Sequence, residues 1–383
     1  MSQIKIIIAS VLKPLKDPRA YYRFGQSLRE TNKYQINIIG FSSKNEASEK
    51  NIKFNSIFSN NRKAFSRLLA SFRFLRILKN TRPQIMIIST WELLPSAILA
   101  KLIFGGKIIY DVQENYIFNL KYNQSLKGWK KKTAVIIVNA IEKGTKRFVD
   151  HYIFSEHCYI TELKHLRPFS VLENKFFGKI KVHDPIKFKE NQDMHFLISG
   201  TITPAYGILE AVKWFKNILP AYPSYSLNII GHVTLAEYRL QLEKEVAGHE
   251  AISMQVSDIP VDYQDILEAY KTSDIVLMPY WQVPSIVNKI PSKFFECMAM
   301  GKPALFSPNP FWTGIMEKYP AGTAVDFKDL ANAQENLEKA MSQTYFIQPP
   351  GEEVLWNGDQ GKFLQLIAQM SNTSSQDQKD IRD

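Results

Sequence analysis

At 383 residues the chain exceeds what a single hydrophobic core normally organises, so two domains are expected. Its 45% apolar and 22% charged residues are those of an ordinary soluble globular protein, and no apolar run is long enough to span a bilayer as a helix. The charge of +11 is unevenly spread: residues 1–177 hold 30 Lys and Arg against 12 Asp and Glu, net +18, whereas residues 178–383 hold 18 against 25, net −7. An anionic partner is therefore expected for the first half only. Two cysteines, Cys158 and Cys297, suit a reducing cytoplasm and exclude a disulfide scaffold.

The start, MSQIKIIIAS, is too quickly polar for a signal peptide and reads as a first strand. Further strands are expected at Gln35–Phe41, Ile85–Thr90, Lys107–Val112, Tyr152–Ser155 and Ser170–Leu172. Helical patterns lie between them at Tyr21–Glu30, Arg62–Lys79, Leu93–Ile103 and Thr133–Arg147. Such alternation predicts a parallel sheet covered on both faces. The polar stretch 178–193 reads as a linker. The alternation then restarts with strands at His195–Ser199, Ser226–Ile230, Ser253–Val256, Ile275–Met278 and Ala304–Ser307. Its helices are expected at Ala205–Leu219, Leu235–Val246, Tyr263–Lys271, Pro291–Met300 and Leu330–Ser342. The pattern assigns residues 1–177 and 194–350 to two Rossmann-like domains, 351–372 to a terminal helix and 373–383 to a disordered tail.

Residues 291–303, PSKFFECMAMGKP, carry the most chemical information. Helical spacing puts Lys293 and Glu296 on one face of the first turns, and Gly301 with Lys302-Pro303 ends the helix. A carboxylate beside free backbone amides can hold sugar hydroxyls while the amides hold an anion. A second candidate is the small-residue loop from Ser199 through Gly200, Thr201 and Thr203 to Pro204, which lets backbone amides approach a diphosphate. Ser257–Pro260 is a third strand end, equally readable as a plain turn.

The 291–303 run resembles the donor-site helix of family 4 glycosyltransferases, and the resemblance extends more loosely over most of the chain. It implies the GT-B fold, an α/β architecture of two Rossmann-like domains with parallel sheets facing a central cleft. It also implies a retaining, metal-independent transferase. By resemblance Glu296 takes the ribose hydroxyls, and Asn288, where many members have a second Glu, faces the donor sugar. Ser292 and Lys289 flank the same site. Many members place an Arg and a Lys on the glycine loop to neutralise the diphosphate; Thr201 and Tyr206 stand there instead, so Lys293, or Lys289, is the expected replacement. The subgroup of surface-polysaccharide enzymes also shares Asp17-Pro18-Arg19, expected on the acceptor side, Tyr110-Asp111-Val112-Gln113-Glu114 and Leu172-Glu173-Asn174-Lys175. Gln113 replaces the usual histidine; an amide donates a hydrogen bond but cannot exchange a proton near neutral pH. Glu114 is the ionisable group left beside it. No Asp-x-Asp pair occurs, and no metal or other cofactor is expected.

The basic half mixes charge with large apolar side chains. Residues 51–91 contain no acid, and the stripe Phe65, Leu68, Leu69, Phe72 and Leu75 is expected to pack on the sheet. Arg62, Lys63, Arg67, Trp129, Lys130, Lys131 and Lys132 are the expected contacts with an anionic membrane. The reading is a glycosyltransferase at the inner face of the plasma membrane. It would move a sugar from a nucleotide sugar, UDP-linked in preference to GDP-linked, to a lipid-linked or saccharide acceptor. The alternatives are a catalytically silent GT-B subunit that binds a sugar nucleotide or a partner enzyme, and nucleic-acid binding. Against the last stands the lack of any recognisable nucleic-acid module.

Overall fold

The computed structural model describes residues 3–42, 46–58, 64–122, 128–182, 184–189 and 192–377. Two compact units are present, one formed by Met1–Phe177 with Trp356–Asp383 and the other by Gly178–Leu355.

The first unit is built on seven strands: β1 (Ile4–Pro14), β2 (Tyr34–Phe41), β3 (Ile52–Phe58), β4 (Ile85–Ile88), β5 (Lys107–Val112), β6 (His151–Phe154) and β7 (Phe169–Val171). They form one sheet in the order β3-β2-β1-β4-β5-β6-β7, parallel throughout. Side chains alternate between faces along a strand, so the isoleucine run of β1 feeds two cores. Ile7 and Ala9 join Phe74, Leu78 and Ala97 on one side. Ile6 and Ile8 join Phe24, Leu28, Trp356 and Phe363 on the other.

Three features differ from the sequence reading. Strand β3 has no counterpart there, because IKFNSIF on a sheet edge lacks a clean alternation. The expected helix Tyr21–Glu30 is a π-helical turn, Pro18–Gly25, followed by a short α-helix, Gln26–Glu30. The Leu69/Phe72 stripe does not pack on the sheet. In helix Ala64–Thr81 the inward row is Ala70, Phe74 and Leu78, spaced four residues apart, which turns Leu69 and Phe72 outward at 39% and 67% exposure. Phe65 and Leu68 have side chains outside the described set.

The second unit holds β8 (Ile186–Lys187), β9 (His195–Ile202), β10 (Ser226–Val233), β11 (Ile252–Ser257), β12 (Ile275–Met278), β13 (Ala304–Phe306), β14 (Gly322–Ala324) and β15 (Thr344–Tyr345). Six of them form a parallel sheet in the order β11-β10-β9-β12-β13-β14, and β8 pairs antiparallel with β15. Chain order reverses between β9 and β12, the position at which open parallel sheets receive ligands beyond their carboxyl ends. The stretch read as a linker belongs to this unit: Lys181 N–H donates to Ala299 O at 2.7 Å, and Ile186–Lys187 is β8. The last helix, Asn357–Asp377, belongs to the first unit and runs into the stretch expected to be disordered; residues 378–383 lie outside the described set. Among the described residues no helix is long and apolar enough to cross a membrane.

Candidate functional site

In the second unit β9 continues three residues past its expected end, so Gly200 and Thr201 are strand residues, not loop residues. Glycines make this possible. Gly231 on β10 pairs with Gly200, and a Cβ at 231 would lie 1.8 Å from the Gly200 carbonyl oxygen. Gly200 itself has φ +89°, a conformation that side chains rarely adopt. Beyond β9, Thr203 opens a 3-10 turn over Pro204–Tyr206, and helix Ile208–Ile218 follows.

Helix Ser292–Met300 approaches this strand end with Pro291 before it and Gly301 in the left-handed conformation after it. The Lys293 side chain reaches Gly200, where an added Cβ would meet the ammonium at 3.1 Å. Lys293 Nζ donates to the Tyr280 hydroxyl at 2.9 Å and lies 5.5 Å from that ring. Burial pulls the Lys293 pKa down, but Tyr280, Glu296 and Cys297 more than offset it and hold the pKa above the ordinary lysine value, so the ammonium stays charged. Glu296 is 5% exposed and accepts from the hydroxyls of Tyr263 and Tyr270, each at 3.2 Å. Burial keeps Tyr270 protonated by raising its pKa well above the usual phenol value, with Cys297 and Glu296 adding to the effect. Two carboxylate oxygens offer about four acceptor positions, so two tyrosines leave room for further donors.

Asn288 is exposed in the turn before the helix, while Lys289 and Ser292 are half-buried. That loop is fastened from behind. Trp312 Nε1 donates to Lys289 O at 2.7 Å and Asn309 Nδ2 to Val287 O at 3.0 Å, while the Asn309 side chain caps helix Pro310–Glu317. The structure thus brings Gly200, Thr201, Lys293 and Glu296 to the ends of β9 and β12. Thr203 and Tyr206 line the turn beyond, and the Tyr206 ring packs against Tyr280 at 4.7 Å. Ser257–Pro260 is a turn in which Ile259 N–H donates to Ser257 Oγ at 3.2 Å.

In the first unit the three motif fragments meet around one buried ion pair. Arg19 donates to Asp111 through Nη2 at 2.7 Å and Nε at 3.0 Å, and through Nη1 to Leu172 O and Asn174 Oδ1. Asp17 accepts from the Arg19 and Ala20 amides and so opens the π-helical turn. Asp17 is 6% exposed and Arg19 2%. The Arg19 guanidinium ties the segment after β1 to β5 and to the segment after β7, while Asp17 caps its own turn. Gln113 Nε2 donates to Asp111 Oδ2 at 2.8 Å, which fixes the amide beside the pair. Glu114 is exposed, with Asn119 Nδ2 at 3.2 Å.

Residues 180–349 match the family model described as Glycosyl transferases group 1. The match spans 170 of the 383 residues and falls wholly within the second unit. The whole chain has the GT-B fold. It is similar to a sucrose-phosphate synthase of Thermosynechococcus elongatus, with TM-score 0.68 and 12% identity over 97% of this chain and 100% of that one. A second similar structure is HepE of Anabaena in complex with UDP and glucose, at TM-score 0.61 and 13% identity over 97% and 100%. A third is a UDP-forming trehalose-phosphate synthase of Burkholderia vietnamiensis, at TM-score 0.60 and 11% identity over 98% and 99%. No curated protein matches the sequence.

Glu296 and Lys293 were legible as a helix motif; Tyr263, Tyr270 and Tyr280, which hold them, were not. Among the described residues no group of three or more His, Cys, Asp or Glu is placed to hold a metal ion. Of the residues expected at a membrane, Trp129 is 72% exposed, Lys132 is exposed and Lys131 half-buried. Arg62 and Lys63 lie outside the described residues, and the side chains of Arg67 and Lys130 do too. Trp129 is not alone. Leu102 (65%), Ile103 (60%) and Ile136 (66%) project from helices Leu94–Phe104 and Gly128–Thr145. The first of these lies beside helix Ala64–Thr81, with Ser96 Oγ donating to Ser71 O at 3.1 Å.

Proposed function

We propose that the protein is a retaining glycosyltransferase of the family 4 type that moves a sugar from a UDP-sugar to a lipid-linked or saccharide acceptor during surface-polysaccharide assembly. One observation carries the reading: the carboxylate of Glu296 and the ammonium of Lys293 stand on adjacent turns of one helix, beside the strand end at Gly200. A nucleoside diphosphate needs that pairing, an acceptor for ribose hydroxyls and a cation for the diphosphate. UDP in the similar HepE structure supports the choice of base.

In the reaction the bond from the anomeric carbon to the diphosphate oxygen breaks as the acceptor oxygen bonds to the same face. The departing diphosphate takes the acceptor proton, so no protein base is required, and Gln113 contributes a hydrogen bond alone. Lys293 stabilises the charge that builds on the leaving group. The reaction proceeds without a metal. The apolar and basic helices of the first unit hold the enzyme on the inner, anionic face of the membrane, where a lipid-linked acceptor would be met.

The test is thermal stabilisation by UDP, UMP and GDP, followed by turnover of UDP-sugars with and without EDTA. UDP is expected to raise the melting temperature by mass action, and turnover to survive the chelator. Binding without turnover would instead favour a silent subunit, and loss of turnover restored by magnesium or manganese would refute the metal-free mechanism.

A further inference from the structure

In the resembled family the loop after the first strand of this domain supplies two cations, and here those positions are Thr201 and Tyr206, neither of which carries charge. Lys293 enters from the facing helix, and what fixes it there is another residue. We propose that Tyr280 is the positioning residue that sets the Lys293 ammonium against the Gly200 strand end, so that a Lys–Tyr pair serves the departing diphosphate. This rests on the nucleotide-sugar reading above and names the device by which this chain meets its charge requirement.

Four observations support it. Tyr280 is 5% exposed and lies just past the end of β12, across the chain-order reversal from Gly200. Its hydroxyl accepts from Lys293 Nζ at 2.9 Å. Its ring is braced by Tyr206 at 4.7 Å and by buried Trp312 at 5.9 Å, so the acceptor does not wander. Tyr206, at the position where the family has a lysine, thus braces the residue that holds the substitute lysine.

The chemistry of the acceptor matters. A free lysine side chain has about 2 kcal/mol of rotamer entropy, and one fixed partner selects a rotamer. A carboxylate partner would do that but would neutralise the charge. A phenol holds the ammonium through one of its three donors and leaves the charge and two donors for an anion. The nearby carboxylate, Glu296, accepts from Tyr263 and Tyr270, and Lys293 makes no salt bridge with it among the described residues.

The experiment compares Tyr280→Phe, Lys293→Met and the double variant by titration calorimetry with UDP and with UMP, and with GDP in parallel. Phe keeps the ring contacts but removes the acceptor of the Lys293 ammonium, so only a small drop in melting temperature is expected. If Tyr280 acts through Lys293, Tyr280→Phe lowers UDP affinity about tenfold, the loss of one charge-assisted hydrogen bond's worth of placement. It leaves UMP affinity unchanged, because UMP lacks the second phosphate. The double variant then binds UDP no more weakly than Lys293→Met. Equal losses for UDP and UMP, or additive losses in the double variant, would show a merely structural tyrosine and overturn the inference. So would wild-type UDP affinity in Tyr280→Phe when Lys293→Met is impaired. If wild-type protein binds neither UDP nor GDP, the donor reading itself falls.

Discussion

The replacement of Glu296 is the most exacting test of the donor site, because its carboxylate has two employments. It accepts the hydroxyls of Tyr263 and Tyr270 at 3.2 Å, and both tyrosines are buried. In Glu296→Ala two buried phenols lose their acceptor. At about 1–3 kcal/mol for each unsatisfied group, the cost is roughly 2–6 kcal/mol. That is a large share of the 5–15 kcal/mol by which a domain is typically stable, so lost binding and lost folding would be confounded. Glu296→Gln separates them. The amide preserves shape; its oxygen accepts from one phenol and its NH2 donates to the other, so neutral hydrogen bonds replace charge-assisted ones, at about 1 kcal/mol each. Stability should then fall by roughly 2 kcal/mol, read by urea denaturation. Two ribose hydroxyls bound to the same group should weaken by a similar sum, about 30-fold in Kd for UDP. Calorimetry with UDP and its 2′,3′-dideoxy analogue completes the assay. Wild type should discriminate strongly between them and the Gln variant weakly. A Gln variant that binds UDP as tightly as wild type refutes the ribose contact, and an Ala variant of undiminished stability refutes the account of the two tyrosines.

Four further outcomes are expected. The first unit should bind anionic but not neutral liposomes, less so as salt rises, and Phe72→Ser combined with Trp129→Ser should weaken binding without changing the melting temperature; indifference to anionic lipid at low salt would sink the membrane reading. Burial lifts the Glu142 carboxyl from 4.5 to about 7, against an opposing pull from the Tyr110 hydroxyl. The folded state therefore binds more protons than the unfolded one between those values, and this group's contribution is fully favourable below about 4.5 and lost as pH rises through 7. Glu142→Gln should accordingly raise the melting temperature at pH 8 and change it little at pH 4.5, and the reverse order would disprove the assignment. Gly231→Ala should yield little folded protein, since its Cβ would sit 1.8 Å from the Gly200 oxygen. Gly144→Ala, in an open helical position, should instead stabilise by about 0.5–1 kcal/mol in the same denaturation assay.

The elements best read from sequence are those whose pattern is local. Strands Lys107–Val112 and Ile275–Met278 and helix Tyr263–Lys271 have the same bounds in sequence and structure. Continuous apolar runs mark strands buried on both faces, and such runs need no knowledge of partners. Edge elements escaped. β3 and β14 are short or polar, and helix Pro310–Glu317 was hidden because Asn309-Pro310 reads as a turn when it is a capped helix start. At the site, the spacing of Lys293 and Glu296 showed that they share a helix face. Nothing local showed that Tyr263, Tyr270 and Tyr280 would converge on them from a preceding helix and strand end. The same limit explains Arg19. A fragment shared with the resembled subgroup announced a role, but only the fold revealed that the partner of Arg19 is Asp111, far along the chain and buried with it.

The first unit is finished late. Its second core needs Trp356, Phe363, Leu366 and Ile367, and the Trp356 indole donates to Ser27 Oγ at 2.8 Å while Phe363 stacks on Phe24 at 4.4 Å. During synthesis the strands of that unit emerge first, yet the helix that covers one of their faces follows the entire second unit. At about 5–20 residues per second, the apolar face of β1 and β2 waits on the order of ten seconds for its cover. The intervening domain can fold in that interval, and the earlier one cannot close. A nonsense codon before Trp356 would thus spare the sequence of both sheets and still expose the older one, which makes such truncations candidates for aggregation and chaperone capture, not for partial activity.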